Sequence, residues 1–169
     1  DFFGSVSTTK NNEGTLVLAG LNSVADNIGA AGFQMKDVQF NKTMSAGNVY
    51  AKTMSIAAAH TVKFTGTVSS DTDGLTLNNG SVAEFGSSSV IASAINGAAA
   101  GNGTARFTGN NSISRNIGEG KNLDRIEFNG AAGEATNLAA NLFANNIVTG
   151  AQTLNATSNV ALNGASTFN

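Results

Sequence analysis

A short pattern of apolar and polar positions recurs along the chain: an aliphatic or small residue, a mostly polar residue, a large apolar residue, then Asn, Thr, Ala or Gly. The copies are Leu16-Val17-Leu18-Ala19-Gly20, Val38-Gln39-Phe40-Asn41, Val62-Lys63-Phe64-Thr65-Gly66, Ala83-Glu84-Phe85-Gly86, Ala105-Arg106-Phe107-Thr108-Gly109 and Ile126-Glu127-Phe128-Asn129-Gly130. Their third positions (18, 40, 64, 85, 107 and 128) are separated by 22, 24, 21, 22 and 21 residues. Alternation with period two marks a strand with one buried face, and the Gly or Asn behind it suits the positive φ of a corner. A second apolar track, Ile28, Tyr50, Leu75, Ile95, Ile117 and Leu138, follows ten or eleven residues after each copy.

Strands this short cannot bury a face alone, but coils of one period can stack so that equivalent residues lie above one another. The expected fold is therefore all-β: a right-handed parallel β-helix of about 7–8 coils of roughly 22 residues. The large third positions would form one interior column and the second track another. The residues between the inward pairs, Gln39, Lys63, Glu84, Arg106 and Glu127, would form an outward column in which opposite charges alternate.

The stretch 14–29 aligns without gaps on 103–118, with eight identities in sixteen and an offset of 89 residues, which equals four of these periods. The whole of 1–169 is thus read as one β-helical domain with a four-coil duplication, 14–41 matching 103–129. Beyond Phe128 two registers stay open, one through Val148-Thr149-Gly150 and Phe168-Asn169, the other through Val160-Ala161-Leu162-Asn163-Gly164. The Ala-rich stretch 134–146 is open between strand and short helix.

Composition narrows the function. Ala 26, Asn 23, Gly 20 and Ser plus Thr 33 make 102 of 169 residues small or amide-bearing, while Leu, Ile, Val and Phe number 39. That leaves a thin core, just outside the composition of a disordered chain. A net charge of -2 with 12% charged residues gives no basic footprint for nucleic acid. No apolar run approaches the roughly 18 residues of a membrane span. The absence of Cys excludes disulfides, thiol chemistry and Cys-based zinc sites, and fits either a cytosolic chain or one exported unfolded. The start at Asp1-Phe2-Phe3, without initiator Met or basic leader, reads as a mature or excised piece.

Candidate chemistry is sparse. His60, the single imidazole, lies in Ala57-Ala58-Ala59-His60-Thr61 with no Gly-x-Ser-x-Gly elbow elsewhere, so a turn histidine is expected. Asp71-Thr72-Asp73-Gly74 lacks the further oxygen ligands of a calcium loop and reads as a tight turn. Gly101-Asn102-Gly103 and Gly118-Glu119-Gly120-Lys121 lack the spacing of dinucleotide and phosphate loops. Asp71 and Asp73 are the one close carboxylate pair; Asp124, Glu127 and Glu134 are scattered. Sequons at Asn41, Asn79, Asn102, Asn110 and Asn155 follow from the Asn, Ser and Thr content. No catalytic, cofactor-binding or metal-binding residue is assigned.

The Asn/Gly/Thr/Ala-rich coils, with motifs such as Val62-Lys63-Phe64-Thr65-Gly66, Gly74-Leu75-Thr76-Leu77-Asn78-Asn79-Gly80 and Asn110-Asn111-Ser112-Ile113, resemble the passenger regions of bacterial autotransporters. Among those the chain is most similar to the rickettsial surface cell antigens, the family that includes outer-membrane protein B. The resemblance covers about 14–164 and rests on repeat style. It implies a β-helical passenger carried to the bacterial cell surface through a C-terminal barrel, serving a surface layer or attachment to host cells. Lacking a leader and barrel strands, the chain corresponds to a passenger fragment, and no binding residue carries over. The expected role is a non-enzymatic surface rod whose partners are neighbouring copies, further coils of a parent chain, or a host receptor. The competing class is a β-helical polysaccharide-acting hydrolase or lyase; a cytosolic structural solenoid is a third.

Overall fold

Segments of three to six residues with one apolar face have no partner within their own length, so pairing must come from the next turn of the chain. A computed structural model, describing residues 3–20, 24–70, 73–157 and 162–168, has this arrangement. All pairings between strands are parallel. They build a β-solenoid of about 7 turns of roughly 21 residues, with no helix among the described residues. The fold class read from the repeat is the one observed.

The strands in chain order are β1 (Phe3–Val6), β2 (Glu13–Leu18), β3 (Val24–Ile28), β4 (Met35–Phe40), β5 (Met44–Ile56) and β6 (Thr61–Phe64). Next come β7 (Thr67–Ser69), β8 (Gly74–Leu77), β9 (Val82–Phe85), β10 (Ser89–Ala92), β11 (Ile95–Gly97) and β12 (Thr104–Phe107). The last six are β13 (Asn111–Ile113), β14 (Leu123–Phe128), β15 (Ala135–Leu138), β16 (Leu142–Thr149), β17 (Thr153–Ala156) and β18 (Leu162–Phe168).

Each coil contributes to three ladders. In the first, Ala46, Phe64, Phe85, Phe107, Phe128, Thr149 and Phe168 are successive register partners. The second runs through Ile28, Val49, Val68, Ile91, Ile113, Leu138 and Ala156. The third runs through Leu16, Val38, Met54, Leu75, Ile95, Ile117 and Leu142. Phe64, Phe85, Phe107 and Phe128 are fully buried, with ring centroids 5.4, 5.1 and 5.2 Å apart and planes within 19° of parallel. Each such pair contributes about 0.5–1.5 kcal/mol beyond area burial. Beside them the inward partners Val62, Ala83, Ala105, Ile126 and Ile147 fill the same layers.

The sequence groups Leu18 and Phe40 with the later phenylalanines, and here the structure differs. Phe40 pairs with Leu18 on one side and Ile56 on the other, in the third ladder. Its ring meets Phe64 edge-on, at 5.6 Å and 87°, because it enters the core from a neighbouring face. The cause is β5, whose 13 residues pass through all three ladders, so the coil from Ala46 to Phe64 takes only 18 residues. The 24-residue gap between Phe40 and Phe64 is therefore a short coil plus one ladder. The second track divides in the same way: Ile28 and Leu138 stand in the second ladder, Leu75, Ile95 and Ile117 in the third. Tyr50 is half-buried opposite Ser69, and Val49 takes the inward place.

The duplicated segments are likewise out of phase. Leu18 lies in the third ladder and Phe107 in the first, so the 89-residue offset spans four coils and one ladder. The stretch 134–146 is β15 and the start of β16, with Leu138, Leu142 and Ala144 inward. Past Phe128 the register continues through Thr149 and Phe168, while Val160 and Ala161 lie outside the described residues.

Corner chemistry also departs from expectation. Of the glycines behind the motif, Gly109 has a positive φ of 142°, but Gly66 and Gly130 do not. A Cβ at those two would meet only the side-chain ends of Asn48 and Gln152, which can shift, whereas at Gly47 and Gly118 it would strike the backbone carbonyls of Asp26 and Phe143 in a neighbouring coil, so close approach requires glycine at the latter two. Among the described asparagines Asn12 alone has positive φ. Several others reach across coils. The side-chain oxygens of Asn11, Asn48, Asn96, Asn110 and Asn116 accept the backbone N–H of Gln34, Thr67, Gly120, Ala135 and Asn141, at 2.8 to 3.0 Å. They supply acceptors where the chain turns out of the ladders and backbone groups would otherwise lack partners.

Two outcomes are expected in denaturant unfolding. Phe85→Ala should lose about 3–5 kcal/mol by removing buried area and leaving a cavity, against well under about 1 kcal/mol for Glu84→Ala; equal losses would contradict the inward assignment. Asn48→Ala, which removes the acceptor for Thr67 N–H, should cost about 0.5–1.5 kcal/mol with an unchanged denaturant slope.

Candidate functional surfaces

With the large side chains turned inward, the outward positions of the three ladders form the surfaces that meet other molecules. On the first ladder Lys63, Glu84, Arg106 and Glu127 are successive neighbours. Lys63 Nζ stands 3.6 Å from Glu84 Oε1, Arg106 bridges Glu84 at 3.5 Å and Glu127 at 2.7 Å, and Arg125 adds a contact to Glu127 at 3.4 Å. Gln39, assigned to this column from sequence, is outward in the third ladder opposite Ser55. The hydrogen bond to Glu127 raises the Arg106 pKa against some desolvation, with Glu84 adding to it. A raised value means that Arg106 contributes fully below its unfolded pKa and loses that contribution only as pH climbs past the folded one, so neutral and acidic conditions leave the guanidinium charged.

The second ladder presents a different surface. Thr67, Val90, Ser112, Asn137 and Asn155 are successive outward neighbours, none charged. A shallow open groove of about 300 Å³ runs along Val90, Ser112, Asn137 and Asn155, bordered also by Ser88 and Asn110. Asn155 donates to Asn137 at 3.3 Å, and Asn48 donates to Asn27 at 2.7 Å. Two further open grooves lie at corners. One of about 380 Å³ includes Asp73, Asn96 and Lys121; the other, of about 310 Å³, includes Asn79, Gly80, Gly103 and Asp124.

The candidate residues do not converge. His60 closes a turn in which its N–H donates to Ala57 O at 3.3 Å and Ala59 adopts φ 60°. Asp71 and Thr72 lie outside the described residues, and Asp73 stands 4.0 Å from Lys52 Nζ. Gly101 and Gly103 take positive φ around Asn102, whose N–H donates to Ala99 O at 3.1 Å. At 118–121, Glu119 accepts from Asn116 at 2.8 Å and Lys121 donates to Ala98 O at 2.6 Å. Glu127 belongs to the charge column, and Glu134 accepts the N–H of Ala131 in its own turn at 2.6 Å. No group of three or more His, Cys, Asp or Glu able to hold a metal ion occurs among the described residues. Sequence reasoning missed the cross-coil asparagines; the visible signal was their recurrence close to the corners.

The geometry defines a β-solenoid protein whose first ladder presents paired charges and whose second presents uncharged side chains. No known family, curated protein or solved structure matches the chain.

Arg106→Ala should leave Glu84 and Glu127 as unbridged carboxylates and cost about 0.5–1 kcal/mol, discounted for the partial exposure of the guanidinium. The difference from the parent protein should shrink in high salt, and a salt-independent difference would show that packing of the side-chain stem dominates.

Proposed function

We propose that the chain is a length of stiff, non-enzymatic rod at a bacterial cell surface, a passenger-type module that associates with further coils or copies and presents its faces for host-cell attachment. The observation that carries this reading is the continuous parallel stack itself, in which coils stack in parallel and the outward neighbours Thr67, Val90, Ser112, Asn137 and Asn155 of one ladder are uncharged. Such a face suits many weak repeated contacts. The charges of the first ladder are already paired within the rod and so set coil register more than they offer a free site. Stacked coils also extend naturally, because an unpaired strand edge can receive another coil. The autotransporter resemblance of the repeats supports the bacterial surface location.

The reading is tested by coating beads with the folded chain, measuring attachment to cultured host cells, and following self-association by sedimentation. Saturable attachment, or concentration-dependent assembly, is expected. Loss of neither upon heat unfolding would show the contacts to be nonspecific, and absence of both would contradict the proposal.

A further inference from the structure

Four Asn-Gly pairs fall where side chains are described: Asn79-Gly80, Asn96-Gly97, Asn102-Gly103 and Asn129-Gly130. Asn-Gly is the dipeptide in which the glycine nitrogen most readily attacks the preceding side-chain amide, because no Cβ obstructs the approach. The fold treats the four differently. The Gly97 N–H donates to Lys121 O at 3.0 Å, and Asn96 Oδ1 is held by Gly120 N–H at 3.0 Å. Gly130 N–H is held by Gln152 Oε1, and Asn129 Nδ2 donates to Glu127 at 3.3 Å. In both pairs the nucleophile and the electrophile are tied down.

At Asn79-Gly80 neither is. The turn is closed by Ser81 N–H on Asn78 O at 3.0 Å, leaving Asn79 and Gly80 as its two central residues, both exposed, with Gly80 at φ 67°. The Asn79 backbone carbonyl accepts Ala59 N–H, but neither its side-chain amide nor the Gly80 N–H has a partner among the described residues. Asn102-Gly103 is intermediate: Gly103 N–H also lacks a partner, yet Gly103 is buried, against the Leu77 side chain of the adjacent coil.

We infer that Asn79 is a built-in modification site, at which the folded rod spontaneously converts asparagine to aspartate and isoaspartate while Asn96 and Asn129 are spared. Hydroxide removes the Gly80 amide proton. The nitrogen bonds to Asn79 Cγ, the Cγ–Nδ2 bond breaks, and ammonia leaves with a proton from water. Water then opens one of the two imide C–N bonds of the succinimide, giving aspartate or, with the main chain rerouted through Cγ, isoaspartate. No oxidant or enzyme is needed. The product places a new carboxylate in the corner groove that already holds Asp124, two coils further along the rod, so the modification adds charge of the same sign to an otherwise uncharged rim.

The test is incubation of the folded chain at mildly alkaline pH and body temperature, with peptide mapping by mass spectrometry and isoaspartate detected by enzymatic methylation. The Asn79 peptide should gain the amide-to-acid mass shift at least about ten-fold faster than the Asn96 and Asn129 peptides, whose reaction requires local opening, and in denaturant the four rates should converge. Asn79→Gln should remove the acid form of its own peptide and lower the early acidic fraction on ion exchange, leaving the products of the other Asn-Gly pairs unchanged. Equal rates at Asn79, Asn96 and Asn129 in the folded protein, or an undiminished early acidic fraction in Asn79→Gln, would overturn the inference.

Discussion

Everything in this molecule depends on one coil lying directly upon the next. A single coil of about 21 residues encloses no core of its own; its apolar side chains are covered only when equivalent residues of the neighbouring coils press on them from both sides. The phenylalanines at 64, 85, 107 and 128 are the strongest expression of that dependence, since each ring is sandwiched along the axis or closes the sandwich of its neighbour. Stability is therefore a sum of interfaces between coils, and the Phe-to-Phe layers are its largest local concentration.

The unusual composition follows from the same constraint. Coils separated by about 4.8 Å bring corners close together, so glycine stands where a Cβ would strike the backbone of a neighbouring coil, as at Gly47 and Gly118. Backbone donors leaving the ladders need acceptors at that spacing, which the asparagine amide supplies from an adjacent coil. Outward residues also stack upon themselves: small hydroxyl and amide side chains tolerate such neighbours, and charged ones do so when the sign alternates, as from Lys63 to Glu127.

The repeat, the strand character of its copies and the inward direction of the five motif phenylalanines were legible because a period of two inside a period near 22 leaves few alternatives. Ladder membership was not. Nothing in the residues of β5 announces that Met44–Ile56 traverses a coil without a separate turn, so counting from motif to motif merges Phe40 with a column it touches only edge-on. The same hidden third of a coil makes the 89-residue duplication look like a whole number of turns. Asparagine was read through its tolerance of positive φ, whereas Asn48, Asn110 and Asn116 use the side-chain carbonyl; propensity describes a residue alone, and the bond that selects it comes from a coil some 19 to 25 residues away. As for sites, the residues with catalytic potential were scattered in sequence, and the fold does not bring those it describes together.

The account turns on the ladder change at β5, and disulfide trapping tests it most directly because the chain contains no cysteine of its own. Parallel register neighbours have Cα atoms close enough for a disulfide, within about 4.4–6.8 Å. Cysteine pairs at Lys63 with Glu84 and at Gln39 with Ser55 should oxidise rapidly in the folded protein, while a pair at Gln39 with Lys63 should stay reduced. Efficient cross-linking of 39 to 63, with none of 39 to 55, would mean that the phenylalanines form one unbroken column and that the stacking described here is wrong.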